Sequence, residues 1–151
     1  MMADGHADGE LFLIAQVAGR PVAIPTAQVG SVVDLGEVIA VPRTEPAVRG
    51  LTALRSRVVT VIDTHVALGL PPEADEGRGT RRAVITRIDG HDYAVLVDAL
   101  EDVAPLARLP LSLGLALEGG WRTAATGLVE RDGEPVLVLD LSVLVPQPLA
   151  A

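Results

Sequence analysis

The feature that most constrains this chain is that it repeats itself. Residues 48–70, VRGLTALRSRVVTVIDTHVALGL, and residues 127–145, GLVERDGEPVLVLDLSVLV, superpose without a gap when Gly50 is set against Gly127. Leu51 then meets Leu128, Val59 meets Val136, Val61 meets Val138, Asp63 meets Asp140 and Val66 meets Val143. The stretches ahead of them match as well. QVAGRPVAIPTAQVGSVV around Gly19 aligns with RIDGHDYAVLVDALEDVA around Gly90, pairing Val17 with Ile88, Ile24 with Val95 and Val32 with Val103. A pattern that returns in register is one supersecondary unit used twice. The chain therefore predicts two copies of a small β-rich module, joined by a linker at about residues 70–81, where PPEADEGRGT is rich in proline, glycine and charge.

Within each copy the residues read as short strands. Val58, Val59, Val61 and Ile62 form a β-branched run bounded by charges, which suits a strand covered on both faces. Arg55-Ser56-Arg57 ahead of it reads as a tight reversal, and residues 64–68 after it as a short helix. Residues 11–18 and 21–24 make a hairpin turned at Gly19-Arg20, and Thr26 is placed to cap a helix over 27–33. A strand over 38–41 stops at Pro42. In the second copy, strands over 82–88 and 93–97 flank an Asp89-Gly90 turn, and Asp98, Glu101 and Asp102 span one helical turn. Residues 106–117 receive no assignment, because prolines and a glycine break any helix there. Gly119-Gly120-Trp121 lead into a strand ending near Gly127, and Asp132-Gly133 turns a hairpin that closes over 135–139. The expected organisation is a disordered acidic leader over 1–10, one domain of two pseudo-repeated halves over 11–146, and a tail over 147–151.

Composition removes several functions. A chain of 151 residues buries roughly 68–70% of its unfolded surface, and 49% hydrophobic residues supply a core. Its only aromatics are Phe12, Tyr93 and Trp121, so stacking on bases is nearly absent. With 12 basic residues against 20 acidic ones and a net charge of -8, the chain repels a phosphate backbone. Nucleic acid is not an expected partner. Every basic residue is arginine, which removes Schiff-base and phosphate-loop lysines together. No cysteine is present, which excludes thiolate nucleophiles, disulfides and cysteine zinc sites and fits a reducing compartment. No apolar run approaches the roughly 20 residues of a membrane helix, and MMADGHADGE is unlike a signal peptide. The expected location is cytoplasmic, without direct membrane insertion.

Chemistry-bearing residues are few. Asp63 and Asp140 follow hydrophobic strands in equivalent halves, the way two carboxylates share a proton in an aspartic protease. Such a site needs glycine two positions on, and here those positions hold His65 and Ser142. The alternative is that each aspartate caps the short helix after it. His65 reads as a solvent-facing helical histidine, since His6 and His91 lie too far off in sequence to complete a metal site. Asp98, Glu101 and Asp102 are a weak calcium cluster or a solvated face. Gly77-Arg78-Gly79 is linker flexibility, and Trp121 is core packing. Arg49, Arg55 and Arg57 make a positive spot beside apolar groups, where Arg55 either pairs bidentately with a partner's carboxylate or solubilises a turn. No catalytic residue, cofactor or metal is assigned.

Val48-Arg49-Gly50-Leu51 through Arg55, followed by Val58-Val59-Thr60-Val61-Ile62-Asp63, resembles the signature of the CheW-like domain, a G-x-x-x-L-R-G turn followed by V-x-P-V-I-D-L. The resemblance runs from about Leu11 to Leu144 and includes Leu96-Val97-Asp98, Val103 and Val138-Leu139-Asp140-Leu141. It implies an all-β fold with short helices, built as two intertwined SH3-like five-stranded barrels. It also implies a non-catalytic adaptor or scaffold that couples the cytoplasmic tips of methyl-accepting chemoreceptors to the regulatory domain of a CheA-type histidine kinase. By position, the resemblance carries partner binding to Val29, Ser31, Arg55, Val58 and Ala83, with Val29, Val58 and Ala83 lining an apolar groove between the barrels. This chain departs from the pattern at Gly30-Ser31, where glutamate is common, at Ser56 in place of glycine, and at Thr60 in place of proline. Losing the glutamate weakens one charged contact and points to an altered choice of receptor. The competing readings are a two-aspartate acid hydrolase and a generic SH3-like peptide-binding module.

Overall fold

The computed structural model describes residues 9–42, 45–72, 81–110, 117 and 119–146. The leader apart from Gly9 and Glu10, the linker core with Gly77-Arg78-Gly79, and the tail lie outside the described residues. Eleven strands are assigned among them: β1 (Glu10–Val17), β2 (Arg20–Pro25), β3 (Ser31–Leu35), β4 (Val48–Leu54), β5 (Arg57–Ile62), β6 (Arg81–Ile88), β7 (His91–Leu96), β8 (Ala99–Leu106), β9 (Arg108–Leu109), β10 (Ala125–Arg131) and β11 (Glu134–Leu139). Three short helices accompany them: α1 (Thr64–Ala67), α2 (Gly120–Ala124) and α3 (Leu141–Leu144). Strands dominate and form two curled sheets, as the all-β expectation requires.

The two copies exchange hairpins. One sheet has the order β3-β6-β7-β5-β4, the other β8-β1-β2-β11-β10-β9. The hairpin that opens the chain, β1–β2, therefore joins the strands that close it, through a parallel pairing of β2 with β11. The hairpin β6–β7 joins β5 in the same way. The second sheet has six strands where five were expected, and the reason is local. β8 and β9 are one run of chain interrupted at Ala107, pairing first with β1 and then with β10, so this single bent strand closes the barrel. The first barrel closes likewise. β3 pairs with β6, and Ile39 then bridges to Leu51 of β4. That lone bridge replaces the strand expected over 38–41.

Four hairpins turn on two residues with positive φ, namely Ala18-Gly19, Arg55-Ser56, Asp89-Gly90 and Asp132-Gly133, the geometry that matches the twist of the strands. The first turn sits one residue earlier than Gly19-Arg20. Gly50 marks a β-bulge in β4, and Gly127 marks the equivalent bulge in β10. At Gly50 the requirement is absolute: φ is +154°, and a Cβ would stand 2.2 Å from the Ile39 carbonyl oxygen.

Three further segments differ from expectation. The helix over 27–33 is a single 3-10 turn, Thr26–Gln28, because Ser31 to Leu35 pairs with β6 and the sheet overrides the helical spacing of Val29, Val32 and Val33. Residues 98–103 are extended and mostly β8, held by β1, so the acidic residues do not share a helical turn. Gly120 to Ala124 is helical, and Trp121 lies in α2 instead of approaching a strand.

Strand alternation produces three cores. Leu35, Val59, Val61, Ala83, Ala94 and Leu96 fill the first barrel. Phe12, Ile14, Ala23, Val129, Val136 and Val138 fill the second. The opposite faces, with Leu13, Val17, Ile24, Ile62, Val84, Val95, Leu128, Leu139 and Trp121, pack into one larger core that joins the two sheets and the helices. Arg20 stacks 4.8 Å from the Trp121 ring centroid. No helix among the described residues is long and apolar enough to cross a membrane.

Candidate functional site

The open mouth of the first barrel is a cleft of about 420 Å³. Its floor is aliphatic, made by Val33, Leu54, Val59 and Ile85, and its rim carries Ser31, Arg55, Arg57, Arg87 and Asp92. Each reaches the rim for a sequence reason. Arg55 and Ser56 turn the β4–β5 hairpin with φ of 51° and 65°, and both are exposed at its tip. Ser31 begins β3 opposite Ile85. Arg87 alternates outward from buried Thr86.

The rim charges are unevenly matched. Asp92 is shared, lying 2.9 Å from Arg57 Nη1 and 3.5 Å from Arg87 Nη1. Among the described residues, no carboxylate pairs with Arg55. Ser31, which stands in the same cleft, offers only a hydroxyl. The mouth therefore presents a net positive edge over an apolar floor, on a chain whose net charge is -8.

A second cleft, of about 340 Å³, adjoins the first through Gly30 and Arg87. It is lined by Ala27, Gln28, Val29, Thr86, Ile88 and Ser142, so it lies where the 3-10 turn passes from one sheet to the other and meets α3. Gly30 is fixed there by donating its backbone N–H to the Ile85 carbonyl at 2.7 Å.

The five residues singled out from the sequence do not form one lining. Ser31 and Arg55 share the barrel mouth, and Val29 lines the adjoining cleft. Val58 stands apart, 69% exposed on the outer face of β5 and opposite Ala53, with exposed Ile39 on the same face beyond Leu51. Ala83 is 0% exposed and lies inside the first barrel. It shapes the barrel that carries the cleft and does not reach its surface, because its strand points it inward with Leu35 and Val61. Arg57 was read with Arg55 as part of a positive spot, whereas Arg87, Asp92 and Gln28 were missed. The outward alternation of Arg87 was available as a signal, whereas Gln28 had none.

The other candidates are engaged in structure. Asp63 caps α1, accepting from the Val66 N–H at 3.2 Å through Oδ1 and pairing with Arg49 at 2.8 Å through Oδ2. Asp140 caps α3, accepting from the Ser142 N–H at 3.0 Å and from the Gln28 amide at 2.9 Å. Neither carboxylate is left bare as a two-aspartate mechanism requires. His65 is half-buried, not solvent-facing, with Nε2 3.3 Å from Asp98 Oδ1. Asp98 Oδ2 in turn accepts from the Ala18 N–H at 2.7 Å, so this contact ties α1 to the β1–β2 turn. Burial, followed by neighbouring Arg49, lowers the Arg81 guanidinium from its ordinary value, with Asp63 and Asp98 opposing. Arg131 occupies Glu101 at 3.0 Å and Asp102 at 3.4 Å, and no group of three metal-ligating side chains occurs among the described residues. Phe12 and Trp121 are buried and Tyr93 alone is half-exposed, so the three aromatics do not line a shared groove of the kind that takes a proline-rich peptide.

Two interlocked barrels with an apolar, arginine-rimmed cleft define a protein built around binding surfaces. The family model described as CheW-like domain matches residues 11–148, and the chain belongs to that family. The family is one of scaffold and adaptor proteins of chemotaxis-type signalling. Among solved structures, the scaffolding protein TtCheW from Thermoanaerobacter tengcongensis has the same fold, with a TM-score of 0.75 and 21% identity over 90% of this chain and 92% of that one. No curated protein matches the sequence.

Proposed function

We propose that this protein is a non-catalytic adaptor that couples the cytoplasmic tip of a methyl-accepting chemoreceptor to the regulatory domain of a CheA-type histidine kinase. The observation that carries this reading is the pair of adjoining clefts on a CheW-like fold, the first with an aliphatic floor and with Arg55 at its rim unmatched by any described carboxylate. A guanidinium so placed suits a partner that offers a carboxylate beside aliphatic side chains. Val29 and Ser31 supply the surrounding contacts. Val58 supplies a separate apolar contact on the outer face, where the kinase and receptor need not compete for one surface. A cytoplasmic location follows from these partners.

Co-purification with the kinase regulatory domain and with the receptor tip tests the reading. Arg55→Glu is expected to lose most of either capture while circular dichroism and the unfolding midpoint stay at wild-type values. Unchanged capture by the variant removes Arg55 from the interface, and failure of the wild-type protein to capture either partner removes the adaptor function itself.

A further inference from the structure

The side chain of Gln28 makes two directed contacts across the boundary between the sheets. Its amide nitrogen donates to Asp140 Oδ1 at 2.9 Å, and its carbonyl oxygen accepts from the Leu141 N–H at 2.8 Å. Gln28 ends the 3-10 turn that carries the chain from β2, in the six-stranded sheet, to β3, in the five-stranded sheet. Asp140 and Leu141 begin α3, which follows β11. One amide therefore satisfies the free N–H at the start of α3 and grips its capping carboxylate, using both its donor and its acceptor. Gln28 and Ser142 also form part of the wall of the cleft beside Val29. In the first copy the cap of α1 is held by Arg49 from β4, within its own barrel, and the contact from the crossover to α1 is made by Asp98 to His65 and not to the capping aspartate.

We propose that Gln28 is the positioning residue that holds the inter-barrel cleft in its partner-binding shape, by locking the crossover turn to the start of α3. This inference rests on the adaptor reading and adds to it the contact that sets the cleft's geometry. Without the clasp the start of α3, with Ser142, is no longer tied to the turn that bears Val29, whose far end Gly30 keeps fixed to Ile85, and the partner must order that side of the cleft on binding. The charged groups facing Gln28 are Asp140 at the start of α3 and Arg87 of β6, which lines the same cleft.

The test uses the full chain and two variants. Gln28→Ala deletes both contacts. Gln28→Glu keeps the shape but sets a second carboxylate against Asp140 at neutral pH. When that introduced carboxyl takes a proton in mild acid, it regains one donor and one acceptor in the arrangement of the amide. Binding of the purified kinase regulatory domain and receptor tip is measured by calorimetry between pH 5 and 8, alongside amide exchange at Leu141 and Ser142 and urea unfolding. The expected result is roughly tenfold weaker binding for Gln28→Ala, faster exchange at Leu141, and an affinity for Gln28→Glu that recovers toward wild type on acidification. Two results overturn the proposal while leaving the adaptor reading intact: wild-type affinity in both variants, or a loss in Gln28→Glu that is the same at every pH. Wild-type protein that binds neither partner ends the adaptor reading and this proposal together.

Discussion

Asp63 and Asp140 occupy the same place in the two copies of the repeat and cap equivalent helices, but a guanidinium holds the first and an amide holds the second. The difference follows burial. Asp63 is buried, and a buried carboxylate needs a countercharge, which Arg49 provides from the neighbouring strand. Asp140 is half-buried, and hydrogen bonds suffice. Asp63→Ala, which removes the ion pair with Arg49 and uncaps α1 together, is expected to cost about 3 kcal/mol. Asp140→Ala removes a cap and the Gln28 hydrogen bond but no ion pair, and is expected to cost about 1–2 kcal/mol. Urea denaturation of the two variants side by side measures both, and equal losses would show that the Arg49 pair adds nothing.

Close backbone packing makes a second, sharper prediction. A Cβ at Gly50 meets the Ile39 carbonyl at 2.2 Å, and one at Gly120 meets the Leu68 backbone at 2.6 Å, so alanine at either position forces the main chain apart. Each substitution is expected to cost about 3 kcal/mol or more. A Cβ at Gly36 would meet nothing within 4 Å, and Gly36→Ala is expected to stay within about 0.5 kcal/mol of wild type. Ser56 holds a left-handed φ of 65° without being glycine, so Ser56→Gly is expected to stabilise the fold by about 1 kcal/mol. A neutral Gly50→Ala in urea unfolding would contradict the bulge geometry.

The repeat makes much of this fold legible in the sequence alone. Its two hydrophobic strand patterns, its Asp-Gly turns and its capping aspartates are local signals, and each appears where the residues placed it. Hairpin exchange between the copies was not readable from register, because β2 pairs with β11 and β7 with β5 across long separations that no local pattern encodes. The helical spacing of Val29, Val32 and Val33 misled for the same reason: pairing with β6 outweighed a weak local preference. At the site, Arg55 could be placed because it sits on a turn, while Ser31 came from the family resemblance alone and was expected in a helix instead of at the start of β3. Gln28 could not, since its partners lie on an element more than a hundred residues away.

Val58 and Ala83 were grouped by position, but their surroundings separate them and predict opposite behaviour. Val58 is 69% exposed, so Val58→Glu is expected to leave stability within about 0.5 kcal/mol. Its effect is instead expected in capture of the kinase or receptor, which weakens severalfold. Ala83 lies in the barrel interior at the position equivalent to Phe12 in the other barrel, but among its own neighbours Leu35, Val59 and Leu96. Ala83→Leu overpacks that interior at an expected cost of about 1–3 kcal/mol. Any loss of capture in this variant should track its lost stability, as parallel unfolding and pull-down measurements would reveal.

The last prediction concerns acid. Burial pushes the Asp140 carboxyl up, but hydrogen bonds from the Ser142 side chain, the Gln28 amide and the Ser142 backbone outweigh it and hold the group below its ordinary range. A carboxyl whose folded value is depressed binds its proton more readily in the unfolded chain, so it stabilises the fold above the unfolded value and loses that contribution as pH falls through the folded one. Glu10 behaves alike: the Arg108 hydrogen bond lowers it, burial opposes, and the Arg108 charge adds to the lowering. Being a surface pair, it contributes the smaller share. Asp140→Asn should therefore be less stable than wild type at neutral pH, with the gap closing as pH falls below the ordinary carboxylate range. Gln28→Ala should shrink the same acid dependence, because it removes one of the bonds that depress Asp140. Urea midpoints collected from neutral pH into acid decide the matter: a gap between wild type and Asp140→Asn that stays constant throughout would mean that Asp140 titrates identically in the folded and unfolded chain, and that the clasp does not stabilise its charge.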